Sequence, residues 1–199
     1  MDPIIEDEAY SALQKAPPAP LAALAPEITY CIVGLAKLIS PSMRVSYVIA
    51  PDRPKTLRLA ELLRVTMQTA APLEAALATR LIERGLLTGL IGQVRAEARV
   101  RQALAVRILS AHQVVAPDEG LFIWLELPAQ WMRSEFVSRL RHDGVLVADS
   151  TAFVVNGAEP PNAVRIATGA AQSGADLEIA LVRIQDLLSQ NSSLLNPID

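Results

Sequence analysis

An amine and a guanidinium seven positions apart, Lys37 and Arg44, are the side chains of this sequence best fitted to act together on one small ligand. A lysine among apolar neighbours is either a snorkelling surface residue, its stem on apolar atoms and its ammonium in water, or an amine desolvated enough to condense with a carbonyl. Arg44 adds a fixed fork of donors that suits a phosphate better than a point charge would. Together the two can hold the aldehyde and phosphate ends of one molecule, and pyridoxal phosphate is of that kind.

Holding such a pair requires a turn between two strands. Residues 30–33 and 45–49 are apolar, partly β-branched runs that suit buried strands, and Ser40, Pro41 and Ser42 supply the loop between them. Upstream, residues 4–10 begin as an apolar strand and turn acidic, which puts Asp7 just past a strand end, a common place for a capping carboxylate.

With these elements in place, residues 36–47, AKLISPSMRVSY, resemble the S-K-x-x-x-P-G-x-R-x-G-Y block of class I/II aminotransferases. They are more closely similar to the aminotransferase-like half of MocR-type transcription regulators of the GntR superfamily. The resemblance implies that Lys37 bonds the aldehyde of pyridoxal phosphate and that Arg44 binds its phosphate. Gly34 and Ala36 stand where serines are usual, and Ser42 and Ser46 replace glycines. Two hydroxyls are thereby lost, and either serine is strained if the turn demands positive φ.

Two further matches carry roles by the same resemblance. Asp7 and Tyr10 form the D-x-x-Y pattern, whose aspartate pairs with the protonated pyridine nitrogen and whose tyrosine reaches the phenolic oxygen. A carboxylate beside that nitrogen keeps it protonated, so that the ring withdraws electrons. Residues 162–166, NAVRI, match the N-x-x-R-[IL] strand, which makes Arg165 the binder of the substrate α-carboxylate. Read by alternation alone, Arg165 faces water.

Composition limits the alternatives. In 199 residues, 51% hydrophobic and 20% charged side chains describe a folded chain with a core. A net charge of −3 gives no electrostatic reason for this segment to bind nucleic acid. Cys31 is the only cysteine, which excludes an intrachain disulfide, reads as a small buried hydrophobe and fits a reducing compartment. No apolar run reaches the roughly 18 residues needed to span a bilayer, and no basic segment leads an apolar one, so a cytoplasmic protein is expected. His112 and His142 lack metal-ligand spacing, and no metal is expected.

The expected fold class is α/β, the second half of a fold-type I pyridoxal-phosphate-dependent transferase. Residues 1–90 would form a partial large domain of three strands plus helices, 91–112 a linking helix, 113–190 a small C-terminal α/β domain, and 191–199 a tail. Residues 16–26, with four prolines, read as an extended connector, 55–67 as a helix, and Gly85 with Gly89 as the interruption of a second. Residues 90–110 read as one long helix whose Arg95, Arg99, Arg101 and Arg107 form a solvated or interdomain face. Beyond it, 121–127, 145–148 and 162–167 suit strands, 130–142 and 174–189 suit helices, and the polar residues 190–199 should fray. Trp124 and Trp131 read as core or domain-packing residues.

The resemblance further implies an amino acid or 2-oxo acid as ligand and a homodimer. It places outside this sequence the first half of the catalytic unit, with its phosphate-binding glycine loop, ring-stacking aromatic and asparagine, and likewise any winged helix. The sheet left behind should expose edges and apolar faces. Three readings follow: the effector-sensing half of a regulator, part of an aminotransferase, or a remnant with little or no catalysis.

Overall fold

The computed structural model describes residues 2–190, in two compact units, Met1–Arg95 and Ala96–Asp199. The tail expected to fray lies, apart from Gln190, outside the described residues. Among them no helix is long and apolar enough to cross a membrane, and no cluster of three or more His, Cys, Asp or Glu side chains could hold a metal ion.

The first unit is built on a three-stranded sheet of β1 (Ile4–Asp7), β2 (Thr29–Gly34) and β3 (Ser46–Ile49), in that spatial order. β1 and β2 run parallel, with Asp7 opposite Ile32, and β2 and β3 run antiparallel, with Gly34 opposite Ser46. A parallel pair needs a crossover, supplied here by a single 3-10 turn at Ser11–Leu13 and a one-turn helix, α1 (Leu21–Leu24). That helical turn corrects the expectation of a wholly extended connector. The Glu6 carboxylate accepts hydrogen bonds from the amides of Leu21 at 2.5 Å and Ala22 at 2.9 Å, which fixes the start of the turn just after Pro20. Burial acts to raise the Glu6 pKa, but these two bonds together with the Glu8 side chain outweigh it and the carboxyl lies below the usual range.

Helices α2 (Arg53–Met67), α3 (Pro72–Glu83) and α4 (Leu87–Ile108) follow. Asp52 caps α2 through the Lys55 amide at 2.8 Å. The break between α3 and α4 comes at Gly85, whose φ of +67° only glycine adopts cheaply, whereas Gly89 lies inside α4 and interrupts nothing. Arg95 on α4 donates from Nε and Nη2 to the Ala12 carbonyl, at 3.1 and 2.6 Å, and so clamps the crossover. No side chain of α2 is buried, and Leu57, Leu62, Leu63, Val65 and Met67 all stand exposed. Every residue of β3 is exposed as well, so this unit shows the open edge and bare apolar surface anticipated for a partial sheet.

The second unit holds the rest of α4 and an antiparallel sheet in the order β4 (Val114–Val115), β5 (Phe122–Glu126), β7 (Ala163–Ala167), β6 (Ala148–Asp149). Helices α5 (Arg133–His142) and α6 (Gly174–Leu188) complete it, and Trp131, Phe136, Leu140, Ile123, Leu181 and Ile184 form its core. Trp131 is thus a core residue, in edge contact with Phe136. β6 is shorter and later than the run 145–148 suggests. Gly144, at φ +79°, ends α5 and turns the Val145 amide onto the Leu140 carbonyl at 2.8 Å, which takes it out of the sheet ladder. Arg101 is not simply solvated: Nη1 donates to the carbonyls of Thr168 and Ala171, at 3.0 and 2.8 Å.

Candidate functional site

Lys37 and Arg44 sit on the loop joining β2 to β3, and the sequence of that loop fixes its shape. The Leu35 amide donates to the Val45 carbonyl at 3.0 Å and closes the loop at its base. The amides of Leu38 and Ile39 both donate to Leu35, and Met43 donates to Ser40. Four apolar side chains, Leu35, Leu38, Met43 and Val45, are buried beneath it. A loop pinned at four points presents its polar side chains from a rigid frame.

Neither serine that replaces a glycine is strained. Among the described residues the only non-glycine residues at positive φ are Gln68 and Asn156, so Ser42 and Ser46 occupy ordinary backbone.

A cavity of about 270 Å³ opens in this unit, lined by Asp7, Ala9, Ile32, Lys37, Arg44 and Ser46 among others. β1 delivers Asp7 at its last residue, where Oδ1 accepts from the Ala9 amide at 2.9 Å. Tyr10 follows three residues on, and the Lys37 Nζ lies 5.9 Å from the centre of its ring, within cation–π reach. Among the described residues neither Lys37 nor Arg44 forms an ion pair. Asp7, Lys37 and Arg44 thus line one cavity, whereas Tyr10 does not line it and reaches it through its ring's contact with Lys37. Cys31, two residues inside β2, is buried, and burial, aided by Glu6 and Glu8, pushes its thiol pKa up, away from reactivity.

Arg165 belongs to the second unit, on β7, opposite Trp124 of β5 and Ala148 of β6. It does not simply face water. Its guanidinium carbon lies 4.2 Å from the ring centre of Phe122 and 4.4 Å from that of Phe153, while Nε is buried without a hydrogen-bond partner.

Two features escaped sequence reasoning. Ser46 lines the cavity although in the sequence it reads only as a missing glycine. Phe122 and Phe153 flank Arg165; the alternation of Phe122 and Trp124 on β5 was the available signal for the first, and nothing local pointed to the second.

The cavity fits pyridoxal phosphate by the chemistry of its donors. Lys37 offers an amine for an aldehyde, Arg44 and Ser46 offer a guanidinium and a hydroxyl for a phosphate, and Asp7 offers a carboxylate for a protonated ring nitrogen.

Comparison with known proteins places this geometry in context. Over 185 residues the chain is 31% identical to an HTH-type transcriptional regulator of Bacillus subtilis, YdeF, itself described as uncharacterised. The match takes in 93% of the chain and 40% of that relative, so the chain spans less than half of the curated protein it matches. No family model matches. Among solved structures, an archaeal alanine:glyoxylate aminotransferase superposes with a TM-score of 0.80 at 20% identity, over 94% of this chain and 47% of the other. The α-aminoadipate aminotransferase LysN of Thermus thermophilus, solved with N-(5'-phosphopyridoxyl)-L-leucine, gives 0.80 at 21% identity over 96% and 51%. The kynurenine aminotransferase of Pyrococcus horikoshii gives 0.80 at 19% over 98% and 49%.

Proposed function

We propose that this chain, whose fold is about half of the aminotransferase fold, is the cofactor- and effector-binding part of a MocR-type transcription regulator. One observation carries the reading: Asp7, Lys37, Arg44 and Ser46 line a single cavity whose donors match the distinct ends of pyridoxal phosphate. The identity to a helix-turn-helix regulator over nearly the whole chain favours a regulator. The solved structures share the fold and are aminotransferases, which supports an enzyme as the second reading.

When bound, the cofactor supplies an electron-withdrawing ring that acidifies the α-carbon of an attached amino acid. Lys37 would hold the aldehyde end and would supply an amine able to take or return a proton at that carbon. Arg44 and Ser46 would hold the phosphate, Tyr10 would serve the phenolic oxygen, and Asp7 would keep the ring nitrogen protonated. On the second unit, taken by itself, Arg165 would bind the carboxylate of an amino acid or 2-oxo acid through paired hydrogen bonds. In a regulator that binding event would bias the equilibrium between two arrangements of the protein, most simply in a cytoplasmic homodimer.

An absorbance titration with pyridoxal phosphate tests the reading, run on the parent and on Lys37→Ala and followed by desalting. A retained band in the parent that is lost in the variant is the expected result. No Lys37-dependent band would overturn both the regulator and the enzyme readings for this chain. With the band in hand, turnover of an amino acid and a 2-oxo acid separates the two, because a sensor retains the ligand without releasing product.

A further inference from the structure

Arg165 differs from Arg101 and Arg133, two other partly buried arginines of its unit. Arg101 pairs with Glu97 at 2.7 Å and Arg133 with Asp149 at 3.3 Å, whereas no carboxylate pairs with Arg165 among the described residues. Two aromatic rings pack against it, with Phe122 at 4.2 Å and Phe153 at 4.4 Å from its guanidinium carbon. A guanidinium whose Nε is buried without a partner and which has no counter-ion is better satisfied when an anion arrives to complete it.

The two rings have different supports. Phe122 is fixed in β5 beside β7. Phe153 ends a 3-10 turn, Ser150–Phe153, and remains 40% exposed, so it is not placed there to fill the core. The turn is nevertheless tied down. Asp149 Oδ1 accepts from the Thr151 amide at 2.8 Å, and the fully buried Ser150 donates to the Pro161 carbonyl at 2.6 Å. Trp124 then meets the Phe153 ring edge-on, with centroids 5.8 Å apart and planes at 70°.

We propose that Phe122 and Phe153 are positioning residues that clamp the guanidinium of Arg165 and leave only its edge to a ligand carboxylate, an inference that rests on the carboxylate reading of Arg165 given above. The negative faces of the two rings repel an anion approaching from above or below, which leaves an in-plane, two-pronged approach. Arginine otherwise loses much rotamer freedom on binding; here the rings have restricted it in advance, and the ligand gains that difference as affinity.

The test is an NMR titration of the full chain, labelled with 15N-arginine, in which the Arg165 Nε–H resonance is followed on addition of pyruvate. The parent is compared with Arg165→Ala, Phe153→Leu and Phe153→Tyr, the alanine variant being read by heat of binding. Removal of one cation–π face should weaken pyruvate about fivefold in Phe153→Leu. Phe153→Tyr keeps an aromatic face and should stay within about twofold of the parent, a rescue that a purely structural role would not single out. Parent-like binding by Phe153→Leu, or equal weakening in the leucine and tyrosine variants, would overturn the clamp while leaving the carboxylate role of Arg165 intact. Absence of binding by the parent, or parent-like binding by Arg165→Ala, would overturn that role and the clamp with it.

Discussion

A Cβ placed on Gly34 would lie 3.2 Å from the Oγ of Ser46, its partner across the β2–β3 ladder. The two departures from the usual aminotransferase pattern, glycine at 34 and serine at 46, therefore face each other directly across the ladder. One strand gives up a hydroxyl and the residue opposite supplies one to the same cavity. Gly34→Ser alone should force Ser46 off its rotamer, cost about 0.5–1 kcal/mol and weaken pyridoxal phosphate binding. Adding Ser46→Gly should restore both. Urea unfolding and cofactor titration of the two single variants and the double variant measure the coupling, and simple additivity would refute it.

Arg44→Lys isolates the phosphate end. Arg44 is solvent-exposed and makes no ion pair among the described residues, so the change should leave the unfolding free energy within about 0.5 kcal/mol of the parent. A lysine keeps the charge but loses the planar fork, and half-saturation with pyridoxal phosphate should need about tenfold more cofactor. Unchanged affinity would remove Arg44 from the phosphate site.

The loop bearing Lys37 and Arg44 was legible because its determinants are local: two apolar runs, a Ser-Pro-Ser break and two cations. The closeness of Gly34 and Ser46 was not, since it depends on strand register. The helical turn Leu21–Leu24 likewise depends on Glu6, 15 residues upstream of Leu21, and propensity within a proline-rich stretch gives no sign of it. On β7, alternation put Arg165 toward water because strand period reports which face a side chain takes. It does not report what another element, here the turn carrying Phe153, lays across that face.

Glu6 makes that crossover sensitive to acid. Its folded pKa lies below the ordinary glutamate value of 4.5: burial raises it, but the Ala22 and Leu21 amides and the Glu8 side chain together favour the charged form more. A depressed folded pKa contributes stability that is fully present above the unfolded value and is lost as pH falls through the folded one. From pH 7 down to about 3 the parent should therefore lose more stability than Glu6→Gln, which has no charge to lose. Urea midpoints for both, taken at intervals across that range, provide the comparison, and parallel curves would show that Glu6 does not couple to folding.

Ser173→Ala separates the stability of the second unit from its binding chemistry. Ser173 and Asp176 form a complete capping box at the start of α6, the Asp176 amide donating to Ser173 Oγ and the Ser173 amide to Asp176 Oδ2, both at 3.1 Å. α6 buries Leu177, Leu181, Ile184, Leu187 and Leu188, so fraying of its first turn is felt in the core. The substitution should cost about 1 kcal/mol in urea unfolding. Neither Ser173 nor Asp176 is among the residues that flank Arg165, and the pyruvate titration of the variant should match that of the parent while it remains folded. A fall in pyruvate affinity as large as that expected for Phe153→Leu would mean that loosening of the unit, and not loss of an aromatic face, accounts for weakened binding there.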